Sequence, residues 1–194
     1  MRRRDMNVVR LSALLLFLFP CTTYGGSFVF TGSLAGSNEN PPTASPATGS
    51  ATVTYDDAAH SLRVQVTFSG LGSGTTAAHI HCCIAPPMNT GVATPSPSFP
   101  GFPLGVTSGT YDGMLDLTNS SSFNPAFVTA HGGTVAAAES ALVTGLAQGM
   151  AYLNIHTSVF PGGEIRSFLV CADMSTAPSV TPPAAGTTTQ THCQ

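Results

Sequence analysis

Two short segments hold the side chains best suited to chemistry: Ala77-Ala78-His79-Ile80-His81-Cys82-Cys83 and Tyr152-Leu153-Asn154-Ile155-His156-Thr157. Residues two apart on a strand share a face, which puts His79 and His81 on one side, about 6–7 Å apart. Two imidazoles so placed can reach one ion between them. Ala78 and Ile80 take the opposite face and suit a core. In the second segment Leu153 and Ile155 read as inward, leaving Tyr152, Asn154 and His156 on the polar side. The three histidines converge if the two strands are neighbours. Such a cluster, with no lysine nearby, suits copper or zinc rather than calcium or magnesium, which take oxygen ligands. An exported location favours copper. The competing reading makes the same residues hydrogen-bonded structural histidines beneath a loop.

Other candidates have less to support them. His131, in Ala130-His131-Gly132-Gly133, is a possible fourth ligand, although loop histidines beside glycines are usually solvated. Cys82 and Cys83 would be soft ligands for Cu(I) in a reducing compartment. In an oxidising one a disulfide is expected instead, with Cys82 or Cys83 joined to Cys171, because neighbouring cysteines rarely bond each other. Glu164 and Arg166 share a strand face; the expected role is structural, Arg166 ordering the nearby proline-rich loop through backbone carbonyls. The acids form no catalytic pair: Asp56 and Asp57 are turn residues, and Asp112 and Asp116 lack a partner in sequence. No Gly-x-Ser-x-Gly elbow or phosphate-cradling loop is present, so no catalytic residue is assigned.

The elements that must position these residues are strands. Leu62, Val64, Val66 and Phe68 alternate with polar residues, as do Ala51, Val53 and Tyr55 just before them, and the pair reads as a hairpin. Further strands are expected at 28–34, 76–82, 111–117, 150–157 and 164–171. One short helix is expected at 134–143. Six prolines between 85 and 105 exclude ladder pairing there, so this stretch reads as a long stiff loop over the sheet. The fold class is all-β, an antiparallel sandwich or barrel.

The ends read differently. Arg2, Arg3, Arg4 and Arg10 precede the apolar run 11–19, the layout of a signal peptide over 1–26. The folded domain would then span 27–174, and 175–194 reads as a disordered Thr/Pro/Ala tail. Without the leader, the 6 basic residues fall by 4 to Arg63 and Arg166, and the 9 acids fall by 1 to eight. Such an acidic surface offers no counter-charge for phosphates, which excludes nucleic acid as a partner. No segment of the mature chain is long enough to cross a membrane as a helix. A secreted or periplasmic location is expected.

The stretch Gly36-Ser37-Asn38-Glu39-Asn40-Pro41-Pro42, then Ala47-Thr48-Gly49, resembles the opening of chordin-type (CHRD) domains. So do the Ser69-Gly70-Leu71 corner, Ala78-His79-Ile80-His81, and Tyr152 to Thr157 followed by Phe160-Pro161-Gly162-Gly163-Glu164-Ile165-Arg166. The resemblance covers about 28–171 and implies an extracellular or periplasmic immunoglobulin-like sandwich. A looser resemblance is to copper–zinc superoxide dismutases, with their His-x-His strand, a later metal-binding histidine and a closing Gly-x-x-Arg segment before a disulfide cysteine. Residue by residue it implies His79, His81 and His156 as copper ligands, Arg166 as a positive group near them, and Cys171 as a disulfide partner. The histidine- and aspartate-rich zinc loop of those enzymes has no counterpart in 85–105. Three functions follow as expectations: a metal-binding module, a metal-free module binding another extracellular protein or matrix component, and a dismutase-like redox enzyme.

Overall fold

The computed structural model describes residues 26–172. The expected leader, most of it, and the expected tail lie outside them, as do Cys21 and Cys193. Eight strands form one antiparallel sheet: β1 (Ser27–Ala35), β2 (Thr48–Asp56), β3 (Ser61–Ser69), β4 (Thr75–Cys82), β5 (Gly109–Asp116), β6 (Ala151–Thr157), β7 (Ile165–Phe168) and β8 (Val170–Cys171). Their order is β4-β6-β7-β1-β2-β3-β5, with β8 paired to β1. The sheet curls into a half-barrel, an all-β, sandwich-like fold.

Alternation explains which face turns inward. Phe30 and Leu34 of β1, Val53 and Tyr55 of β2, Leu62, Val64 and Val66 of β3, Ile80 of β4, and Leu153 and Ile155 of β6 are all buried in one core cluster. The period-2 pattern leaves no other register that hides them together. The β2–β3 hairpin forms with Val53 opposite Val64.

Among the described residues there are two α-helices where one helix was expected: α1 (Pro125–Ala130) and α2 (Val135–Ala147). The first starts on Asn124, whose side chain accepts the Ala126 N–H, followed by Pro125 at the first helical position. That pair is a legible helix start. Thr134 caps α2 in the same manner.

The proline-rich connection from β4 to β5 does more than lie over the sheet. It runs along the free edge of β4: the Ala78 and Ile80 N–H groups donate to Ser98 Oγ and Thr94 Oγ1, at 3.0 and 2.9 Å. In return Ala93 and Phe99 donate to the carbonyls of Ile80 and Ala78, at 2.9 and 3.0 Å. Serine and threonine hydroxyls thus satisfy an edge that prolines cannot pair regularly. Phe99 and Phe102 then pack on Tyr111 of β5, so the same loop fills the mouth between the two ends of the curled sheet.

Candidate metal centre

Pairing of β4 with β6 brings the two histidine segments together. His79 stands opposite Asn154, His81 opposite Tyr152, and Ala77 opposite His156. β7 adds Arg166 opposite Asn154 and Phe168 opposite Tyr152. All these side chains point away from the apolar core. The ring centroids of His79 lie 4.9 Å from His81 and 4.7 Å from His156, and those of His81 and His156 are 6.3 Å apart. One nitrogen from each ring falls within 4.8 Å of the others.

The cluster is not on an open outer surface. His79 and His81 are only 6% and 9% exposed, beneath a cover built from the backbone around Glu39, Pro87 to Thr90, and Pro161. Burial, with the mutual repulsion of the rings, pushes His79 down to about 3. Burial also lowers His81 and His156. The three are neutral imidazoles at physiological pH.

Backbone carbonyls orient the rings. His81 Nδ1 donates to Thr90 O at 2.7 Å, which leaves its Nε2 as a lone pair. That Nε2 is buried without a hydrogen-bond partner, and so is Nδ1 of His79. His156 has Pro161 O at 2.9 Å from Nδ1 and Asn154 Oδ1 at 3.0 Å from Nε2. A neutral ring donates to one of these only. With its proton given to Pro161, a carbonyl with nothing but lone pairs to offer, Nε2 is the free donor atom, and the Asn154 amide is the partner that can turn. Ligating histidines typically hold their other nitrogen against a carbonyl in this way. Zinc or copper at about 2.0–2.1 Å from three nitrogens would set them roughly 3.5 Å apart, so closure needs a contraction of about an ångström.

Around the rings sits a polar layer. Tyr152 stacks on His81 at 4.6 Å, with planes 6° apart, and its hydroxyl donates to Thr90 O. The Arg166 guanidinium lies 4.7 Å over the other partner in the stack, the Tyr152 ring. Arg166 donates to Asn38 O, Pro87 O and Asn89 Oδ1, at 2.5, 2.7 and 2.5 Å, and so ties two covering loops to β7. Glu39 Oε2 approaches its Nε at 3.8 Å. Burial pushes Glu39 up to about 7, opposed by the Arg166 charge, and its Oε1 has no partner. Gly163, at φ +125°, carries no Cβ because one would lie 2.7 Å from Glu39 Oε1 and 2.8 Å from Asn154 Nδ2.

Two expectations are corrected. His131 does not join the cluster: it caps α1, with Nδ1 donating to Phe127 O at 2.9 Å, and shares a cavity wall with Cys83 and α2 residues. Neither Cys82 nor Cys83 bonds Cys171. Their sulfurs are joined to each other, and Cys171 is disulfide-bonded too. The topology keeps them apart, since Cys82 ends β4 whereas Cys171 pairs with Phe30 of β1, beyond β6 and β7. Arg166 reaches the proline-rich loop through Pro87 O, and other segments are held by Glu164. Glu164 is fully buried and accepts from Ser45 Oγ, Gly72 N and Thr157 Oγ1, at 2.6, 2.7 and 2.6 Å. Glu39 was missed as a member of this layer. It is a lone acid in a turn-rich stretch, and only the strand order carries it to Arg166.

Fold and site define a half-barrel with an apolar core on one face and a buried histidine cluster on the other. The chain belongs to the CHRD domain family, which matches residues 30–169, a family of extracellular modules. No curated protein and no solved structure matches it. No helix among the described residues is long and apolar enough to cross a membrane.

Proposed function

We propose that this CHRD domain is an exported metal-binding module that holds one copper ion through His79 Nδ1, His81 Nε2 and His156 Nε2. The observation that carries this reading is the pair of ring nitrogens, His79 Nδ1 and His81 Nε2, buried without a partner beside a third imidazole. A buried lone pair left unsatisfied costs on the order of 1–3 kcal/mol. A bound ion removes that cost and turns it into affinity. Zinc is the alternative ion for the same donors. The protein carries or buffers the metal: the side chains beside the rings, Tyr152 and Asn154, are engaged with Thr90 O and His156. A dismutase-like role has less support. Among the described residues the histidines form the only His/Cys/Asp/Glu group with metal-holding geometry.

The test is metal stoichiometry of the purified protein loaded with Cu(I), Cu(II) or Zn(II), compared with His79→Ala and His156→Ala. One ion per chain is expected, with affinity lowered at least ~100-fold in either variant. Equal stoichiometry and affinity in all three proteins removes the reading and favours a metal-free interaction module.

A further inference from the structure

Resting on that reading, the geometry points to the oxidation state the site selects: Cu(I), a monovalent ion held by three neutral imidazoles, in preference to Cu(II) or Zn(II). The donor set contains no carboxylate and no thiolate, so the ligands cancel none of the ion's charge. In a buried site the cost of desolvating an ion rises with the square of its charge, about fourfold from one to two. The nearest charged groups do not offset it. Arg166 sits one ring away, stacked over Tyr152, which stacks on His81. Glu39 is committed to Arg166 at 3.8 Å, and the pair brings no net negative charge.

Coordination number argues the same way. Zinc takes four ligands, so on three imidazoles it must keep a water as the fourth beneath the cover, and Cu(II) prefers tetragonal nitrogen and oxygen sets. Cu(I) is satisfied by three nitrogens in a plane. A fourth protein ligand is not at hand among the described residues: His131 lies at the end of α1, Glu164 is saturated by Ser45, Gly72 and Thr157, and the Cys82 and Cys83 sulfurs are joined to each other. Tyr152 covers one flank of His81, and Pro87 to Thr90 and Pro161 close the cover.

The experiment compares three ions on the full chain. Cu(I) is titrated anaerobically against a chromophoric Cu(I) chelator, and Cu(II) and Zn(II) against chelators of their own. The expected result is one Cu(I) per chain, bound at least ~100-fold more tightly than either divalent ion. Zn(II) or Cu(II) bound as tightly as Cu(I), and lost in His156→Ala, overturns this inference and leaves the metal site standing. Failure of all three ions to bind in a histidine-dependent manner overturns both. Asn154→Asp sets a carboxylate beside the His156 ring and should narrow the gap between Cu(I) and the divalent ions at least ~10-fold; a gap unchanged in that folded variant overturns the charge argument.

Discussion

The outer face of this one sheet is two different surfaces. Over β1, β2, β3 and β5 it is a hydroxyl-rich plane, with Ser33, Ser50, Thr67 and Thr110 side by side across four strands. Its ion pair, Arg63 with Asp112 at 2.6 Å, is about half exposed on both sides. Over β4, β6 and β7 the same pleat presents histidines, Tyr152, Asn154 and Arg166, and loops bury all of them but His156, which is half-buried. Strand geometry is common to both halves. What differs is the cover. Under it, an arginine becomes an anchor for three carbonyl-type oxygens and imidazoles lose their protons. Without it, polar residues stay solvated and carry little energy. His60 shows the contrast: at the exposed hairpin turn, Glu139 at 2.8 Å raises its pKa, whereas burial lowers that of His79.

That comparison can be broken at its two arginines. Arg166→Met strands Glu39, the carbonyls of Asn38 and Pro87, and the Asn89 amide oxygen in a buried layer. A loss of about 3–5 kcal/mol in denaturant unfolding is expected. Arg63→Ala should leave the unfolding midpoint within error of the parent. Comparable losses at both sites would mean that the cover makes no energetic difference.

Acid sharpens the comparison next. His79 binds its proton near pH 3 when folded and near 6.5 when unfolded. The unfolded chain therefore holds more protons between those values, and this contribution to stability, full above pH 6.5, fades as pH falls toward 3. His81 and His156 act in the same direction. Glu39 opposes them, since its folded value of about 7 lies above 4.5 and its contribution fades as pH rises through 7. Metal-free protein should lose stability between pH 7 and 4 as the three histidines outweigh Glu39, measured by urea midpoints. Glu39→Gln removes the opposing contribution and should steepen the loss between pH 7 and 4.5. A smaller effect is expected at the exposed turn: His60→Gln should change neither metal affinity nor the acid limb of the histidine cluster.

Much of this was legible along the chain. Alternation at 62–68 and 51–55 predicted the hairpin, and the two-residue spacing of His79 and His81 predicted a shared face away from Ala78 and Ile80. The helix start at Asn124-Pro125 was present in the sequence and went unread, because the alanine-rich run after Thr134 dominated the pattern. Glu39 had no local signal at all.

Period and spacing act between neighbours in the chain, so the sequence alone determined which residues share a face and which faces are apolar. Whether β4 would lie beside β6, so that His156 meets His79, depended on strand order, a property of the whole curled sheet. So did the cover: burial of the histidines comes from segments near 39, 89 and 161, far apart in sequence and drawn together by Arg166 and by carbonyls reaching the rings. Solvent exclusion is a sum over distant neighbours, and no short stretch of sequence contains it.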